Sequence, residues 1–77
     1  MSSTHASRKM EHAVWVGNEL QMCDDGREAV FSSEITARHF VRDSERLTLD
    51  EDRAAGFAVG FRDEDMQPVY IRGRWSA

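Results

Sequence analysis

The chain has 77 residues, one cysteine and a net charge of −4 from fourteen acidic and ten basic side chains. That length allows one small domain with a thin core. A lone Cys23 excludes an intrachain disulfide and points to a reducing, cytoplasmic setting, and no apolar run approaches the ~20 residues of a membrane span.

Residues 1–12, "MSSTHASRKMEH", are small, polar and weakly basic, with no apolar stretch of the secretory type. They are expected to form a disordered lead, with a single domain over 13–77. The lead carries Arg8, Lys9 and Glu11, one positive charge net, which leaves the domain at about −5. An acidic domain argues against a general nucleic-acid binder and fits a partner with a basic surface.

"HAVWVGNELQMC" alternates, with Val14, Val16, Leu20 and Met22 on one face and Trp15, Glu19 and Gln21 on the other. Period two predicts a half-buried strand. "DDG" at 24–26 supplies hairpin turn chemistry, and "REAVF" follows as the returning strand, with Arg27, Ala29 and Phe31 sharing a face. "SSEITARHFVRDSERL" changes period: Ser32 or Ser33 caps a helix and Glu34 sits in its first turn. Ala37, Phe40, Val41, Ser44 and Leu47 form its apolar stripe, and the helix should end near Arg46.

"TLDEDRAAG" reads as a second, short helix, with Thr48 and Glu51 as a capping box, Arg53 near its end and Gly56 as its C-terminal cap. "GFAVGFR" and "PVYIRGRW" return to period two around a "DEDMQ" hairpin loop. Phe57, Val59 and Phe61 line one face of the first; Val69 and Ile71 line one face of the second.

The order β-β-α-α-β-β predicts an α+β two-layer sandwich, a four-stranded antiparallel sheet with a long and a short helix on one face. Its expected core is Val14, Val16, Leu20, Met22, Phe31, Phe40, Val41, Leu47, Phe57, Val59, Phe61, Val69 and Ile71. The other face of the sheet has no cover within such a chain.

Three surfaces are candidates for a partner. Alternation puts Trp15, Tyr70, Arg72 and Arg74 on the uncovered face, and aromatic and Arg side chains are the usual anchors of binding hot spots. The same side chains can stack bases, pair across the sheet, or bury the face in a homodimer. Arg38, Arg42 and Arg46 are spaced i, i+4, i+8 on the outer helix face beside Ile35, a row suited to phosphates or carboxylates. Glu34 and Glu45 stand close enough to lace that row into solvated surface instead. Asp63, Glu64 and Asp65 fill the second hairpin, where a spread of carboxylates imitates a phosphate backbone; ordinary solubility explains the same acids.

His5, His12 and His39 are scattered, and no Cys-Cys, His-x-x-x-His or Gly-rich phosphate loop occurs, so neither an enzyme nor a metal or cofactor is expected. A chain this small also lacks room for a deep small-molecule pocket.

The strands "AVWVGNELQM", "FAVGFR" and "VYIRGRW" around "SSEITARHFVRD" resemble the plan of small phage-encoded inhibitors, anti-CRISPR proteins in particular. The resemblance covers most of the chain past residue 12, in architecture and charge. It contains no motif specific to one inhibitor family, so no functional residue is carried over. It implies a non-enzymatic protein of the host cytoplasm that occupies a site on a protein or protein–nucleic-acid complex such as a CRISPR effector. The alternatives are a small nucleic-acid-binding regulator and a structural homodimer.

Overall fold

The computed structural model describes residues 9–52 and 57–75. They form β1 (Met10–Val16), β2 (Glu19–Leu20), β3 (Val30–Phe31), α1 (Glu34–Asp43), β4 (Leu47–Leu49), β5 (Gly60–Arg62) and β6 (Pro68–Trp75). The fold is α+β, as expected, but the described residues give six strands and one helix rather than four and two. The sheet runs β2-β1-β6-β5-β4, with β3 on the same edge of β1 as β2, and every pairing is antiparallel.

β1 starts at Met10, so residues 10–12 of the expected lead are strand, paired with Gly73, Arg74 and Trp75. Residues 1–8 lie outside the described part. The chain does not run straight from β1 to Met22. It turns at Gly17 and Asn18, with Gly17 at a φ of 57°. Positive φ at the first central position suits a two-residue hairpin, and glycine adopts it at no steric cost. That turn reverses the expected parity: Leu20 sits opposite Trp15, on the uncovered face.

β2 and β3 then lie end to end along β1, because the chain leaves the sheet between them. Met22 bridges Glu28, and "DDG" closes the tip of this arm as expected, with Gly26 at a φ of 88°. Val14 holds the arm's root. Its N–H donates to Ala29 O at 3.0 Å and its carbonyl accepts from Gln21 N–H at 2.9 Å.

Ser33 caps α1, its hydroxyl accepting from Thr36 N–H at 3.2 Å, with Glu34 in the first turn. The helix ends at Asp43, short of the expected Arg46, where Ser44 turns extended and its N–H reaches Phe40 O and Val41 O. Over its described residues, 48–52, the expected second helix does not form. Leu47–Leu49 is a strand paired with β5, so Leu47 and Leu49 present alternate side chains to one core. A helix would place side chains two residues apart on nearly opposite faces, and two turns cannot sustain themselves without packing. Thr48 donates its hydroxyl to Asp63 instead of capping a helix. The expected helix end at Arg53 and cap at Gly56 lie outside the described residues.

The helix packs on β1, β3, β4 and β6. Between the layers lie Val14, Val16, Ala29, Ala37, Val41, Leu47, Val59 and Val69, flanked by Cys23, Phe31, Phe40, Leu49 and Ile71. The Phe31 and Phe40 rings meet at 5.4 Å, tilted by 41°, a favourable aromatic geometry.

Four expected core residues lie outside this cluster. Leu20 is on the other face, and Met22 is exposed on the arm. Phe57 is 66 % exposed. Phe61 pairs with Pro68 and Thr48, on the face opposite Val69. Val59 still reaches the core, because it and Gly60 together face Val69. Val59 donates to Val69 O while Gly60 is the register partner, a bulge that shifts parity by one residue.

Candidate aromatic-arginine interface on the uncovered sheet face

Among the described residues no helix covers the second face of the sheet. Its side chains lie in three rows set by register: Leu20, Trp15 and Tyr70; Val30, Ala13 and Arg72; Glu11 and Arg74. The expected grouping of Trp15, Tyr70, Arg72 and Arg74 is therefore present. The Arg72 guanidinium lies 4.7 Å from the Tyr70 ring centroid and 5.6 Å from that of Trp15. Both distances are within cation–π range, so one charge bridges two aromatic rings. Ala13, beneath them, is fully buried despite facing away from the helix.

Arg74 faces carboxylates rather than rings. It lies 3.8 Å from Glu11 and 3.5 Å from Glu28 of the arm. Its charge is locally balanced, which leaves Arg72 as the cation at the centre of the aromatic patch. Such exposed pairs contribute little to stability, but they set the charge pattern of this face.

Asp63, Glu64 and Asp65 form the β5–β6 turn, at the end of β6 remote from Arg74. Arg74 lies six residue steps along the strand from Pro68, roughly 20 Å, so these acids and Arg74 do not form one site. They are also engaged internally. Arg62 grips Asp65 with two hydrogen bonds, Nε to Oδ1 at 2.9 Å and Nη2 to Oδ2 at 2.7 Å. Glu64 and Glu19 lie 3.7 and 3.8 Å from the same guanidinium. The Arg62 side-chain hydrogen bonds hold the Asp65 carboxyl below its ordinary pKa, helped by the Gln67 N–H. Asp63 accepts from Thr48. The alternation of "GFR" gives no hint that Arg62 organises this turn.

The helix row is broken. Arg38 and Arg42 lie on α1, but Arg46 lies beyond its end, its N–H donating to Ser44 Oγ at 3.4 Å. Arg38 has a side chain only 19 % exposed and pairs with Glu34 at 3.3 Å, while Arg42 pairs with Asp43 at 3.5 Å. The expected partner Glu34 is in place for Arg38, whereas Arg42 meets Asp43 and not the expected Glu45. Ile35 does point outward, 67 % exposed.

One concavity was not anticipated. A groove of about 750 Å³ separates the arm from the C-terminal half of α1. Met22, Cys23, Phe31, Phe40 and Leu47 line it, with Asp24, Asp43 and Glu45 among its polar residues. Reading Met22 as a core strand residue concealed the arm that forms this wall. Among the described residues no group of His, Cys, Asp and Glu is arranged to hold a metal ion.

No family model matches this chain, and comparison with curated proteins and with solved structures found no match. The functional reading therefore rests on the residues of the site. Among the described residues, no helix is long and apolar enough to cross a membrane.

Proposed function

We propose that this chain is a small acidic binding protein without catalytic activity, which docks its uncovered sheet face on a partner and acts by occupying that partner's site. The observation that carries this reading is the Trp15–Arg72–Tyr70 cluster on a face with no helix over it among the described residues. Large aromatics and arginine contribute most when a partner excludes water from them. The target class is a host nucleic-acid-handling complex such as a CRISPR effector. Support for it comes from the size, the acidity and the resemblance to phage-encoded inhibitors. The non-catalytic reading rests on the scattered histidines and the lone cysteine.

Two features weigh against direct base stacking on the same face. The Arg72 guanidinium already lies over both rings, and Arg74 is balanced by Glu11 and Glu28.

Affinity capture from bacterial lysate, read by mass spectrometry, tests the proposal. The tagged chain should retain a nucleic-acid-handling complex, and Arg72→Glu should release it. Recovery of the chain alone would sink the reading. A shift of RNA or single-stranded DNA in a low-salt mobility assay would replace it with direct nucleic-acid binding, which salt should weaken steeply.

A further inference from the structure

Among the described residues, β6 has one edge unpaired beyond Val69. β1 pairs with it from Val69 to Trp75, but β5 pairs with it only at Val69 and Pro68. Backbone polar groups alternate in direction along a strand. Val69 turns its carbonyl toward β5, accepting from Val59 N–H at 2.8 Å. Ile71, Gly73 and Trp75 share its parity, so their N–H and C=O groups turn to the same side. Val14 confirms the parity from across the ladder: it faces Ile71 yet sends both polar groups the other way, to Ala29 and Gln21. Among the described residues no strand pairs with Ile71, Gly73 or Trp75 on that side.

We propose that this edge accepts an added strand from a partner protein, an extended segment with acidic and apolar residues in alternation. An added strand takes the free main-chain groups, and its alternating side chains meet two different surfaces. On the uncovered face they lie beside Arg72, which has no carboxylate partner among the described residues, and beside Arg74, whose pairs with Glu11 and Glu28 an incoming carboxylate must share. On the other face they lie beside Ile71 and Trp75. Trp75 is 64 % exposed and Met10, its register partner, is also exposed, so an apolar contact is open there.

A second copy of this chain fits the edge badly. Twofold antiparallel pairing sets residues of equal parity opposite each other. Centred on Gly73, it puts Arg72 against Arg74 of the copy. Centred on either arginine, it puts that arginine against itself, and centred on Ile71 it runs the copy into Val69 and Pro68, which β5 already pairs. Like charges directly opposite destabilise a sheet. Residues 1–8 of the chain itself carry Arg8 and no carboxylate, so their charge does not match either.

This inference shares Arg72 with the aromatic face but rests on the main-chain groups of the edge, so slowed edge amides test it apart from partner capture. Amide hydrogen exchange by NMR tests it, with an acetylated and amidated octapeptide of alternating Glu and Val as probe. Its Lys-Val counterpart is the control. In the free protein the Ile71, Gly73 and Trp75 amides should exchange quickly, while those of Tyr70, Arg72 and Arg74, which face β1, are protected. The Glu-Val peptide should slow the first set and bind about tenfold more tightly than the Lys-Val peptide, and Arg72→Glu with Arg74→Glu should reverse that order. Gly73→Pro removes one edge donor and should abolish binding while the Arg72 and Arg74 amides stay protected. If that variant loses the β1 ladder, the contrast between the two peptides on the native chain still decides. Equal affinity for both peptides, no slowing, or edge amides already protected in the free protein would overturn the proposal.

Discussion

A methyl group at Gly60 would lie 1.9 Å from the carbonyl oxygen of Thr48, which belongs to the backbone of β4 and cannot rotate aside. Gly60→Ala must push β4 away from β5, and should cost about 3 kcal/mol, at the upper end of overpacking penalties, in urea denaturation. The Arg62–Asp65 pair makes a second prediction at this scale. Asp65 has its carboxyl pKa lowered by the Arg62 hydrogen bonds, so its stabilising contribution is full above the ordinary aspartate pKa of about 4 and fades as pH falls through the lower folded value. A carboxyl NMR titration should show Asp65 titrating below that ordinary value, and Arg62→Gln should bring it back. Asp25 should behave similarly, since the Arg27 N–H and then its side chain lower its pKa.

Whole elements depend on how they begin, end and change direction. Ser33 satisfies an otherwise open amide at the start of α1, so Ser33→Ala should lower unfolding stability by about 1 kcal/mol, measured by the same denaturation, without altering the sheet. The helix start was legible because capping is a local hydrogen bond between neighbours. The end was not: Ser44 leaves the helix so that Leu47 can enter β4, a pairing with residues far along the chain. The Gly17–Asn18 turn was legible in principle, since Gly-Asn is a known hairpin signal. It was concealed because the apolar alternation continues through it. Reading past that turn moved Leu20 to the wrong face and hid the arm and its groove.

Over the whole molecule, stability and binding should separate by face. Val14, Val41 and Val69 are the largest fully buried side chains, all between helix and sheet. Val69→Ala removes two buried carbons and should cost about 2 kcal/mol of stability while leaving partner capture intact under native conditions. Arg72→Glu should do the reverse, with a denaturation midpoint close to the native one and capture lost. If both variants lose capture in proportion to their stability, the aromatic face has no role of its own.

The sequence by itself determined the α+β class, the strand character of β1 and β6, and the division of β6 into a core face and a face carrying Tyr70, Arg72 and Arg74. Side-chain alternation is a property of an extended chain, so no distant contact is needed to read it. Only the tertiary structure decided that Leu47–Leu49 is a strand, that Asp63 and Asp65 are held within the molecule, and that Arg72 bridges Trp15 and Tyr70. The β4 pairing, the Thr48–Asp63 hydrogen bond and the Arg72–Trp15 contact join segments far apart in the chain, where register chooses the neighbour and local propensity is outweighed.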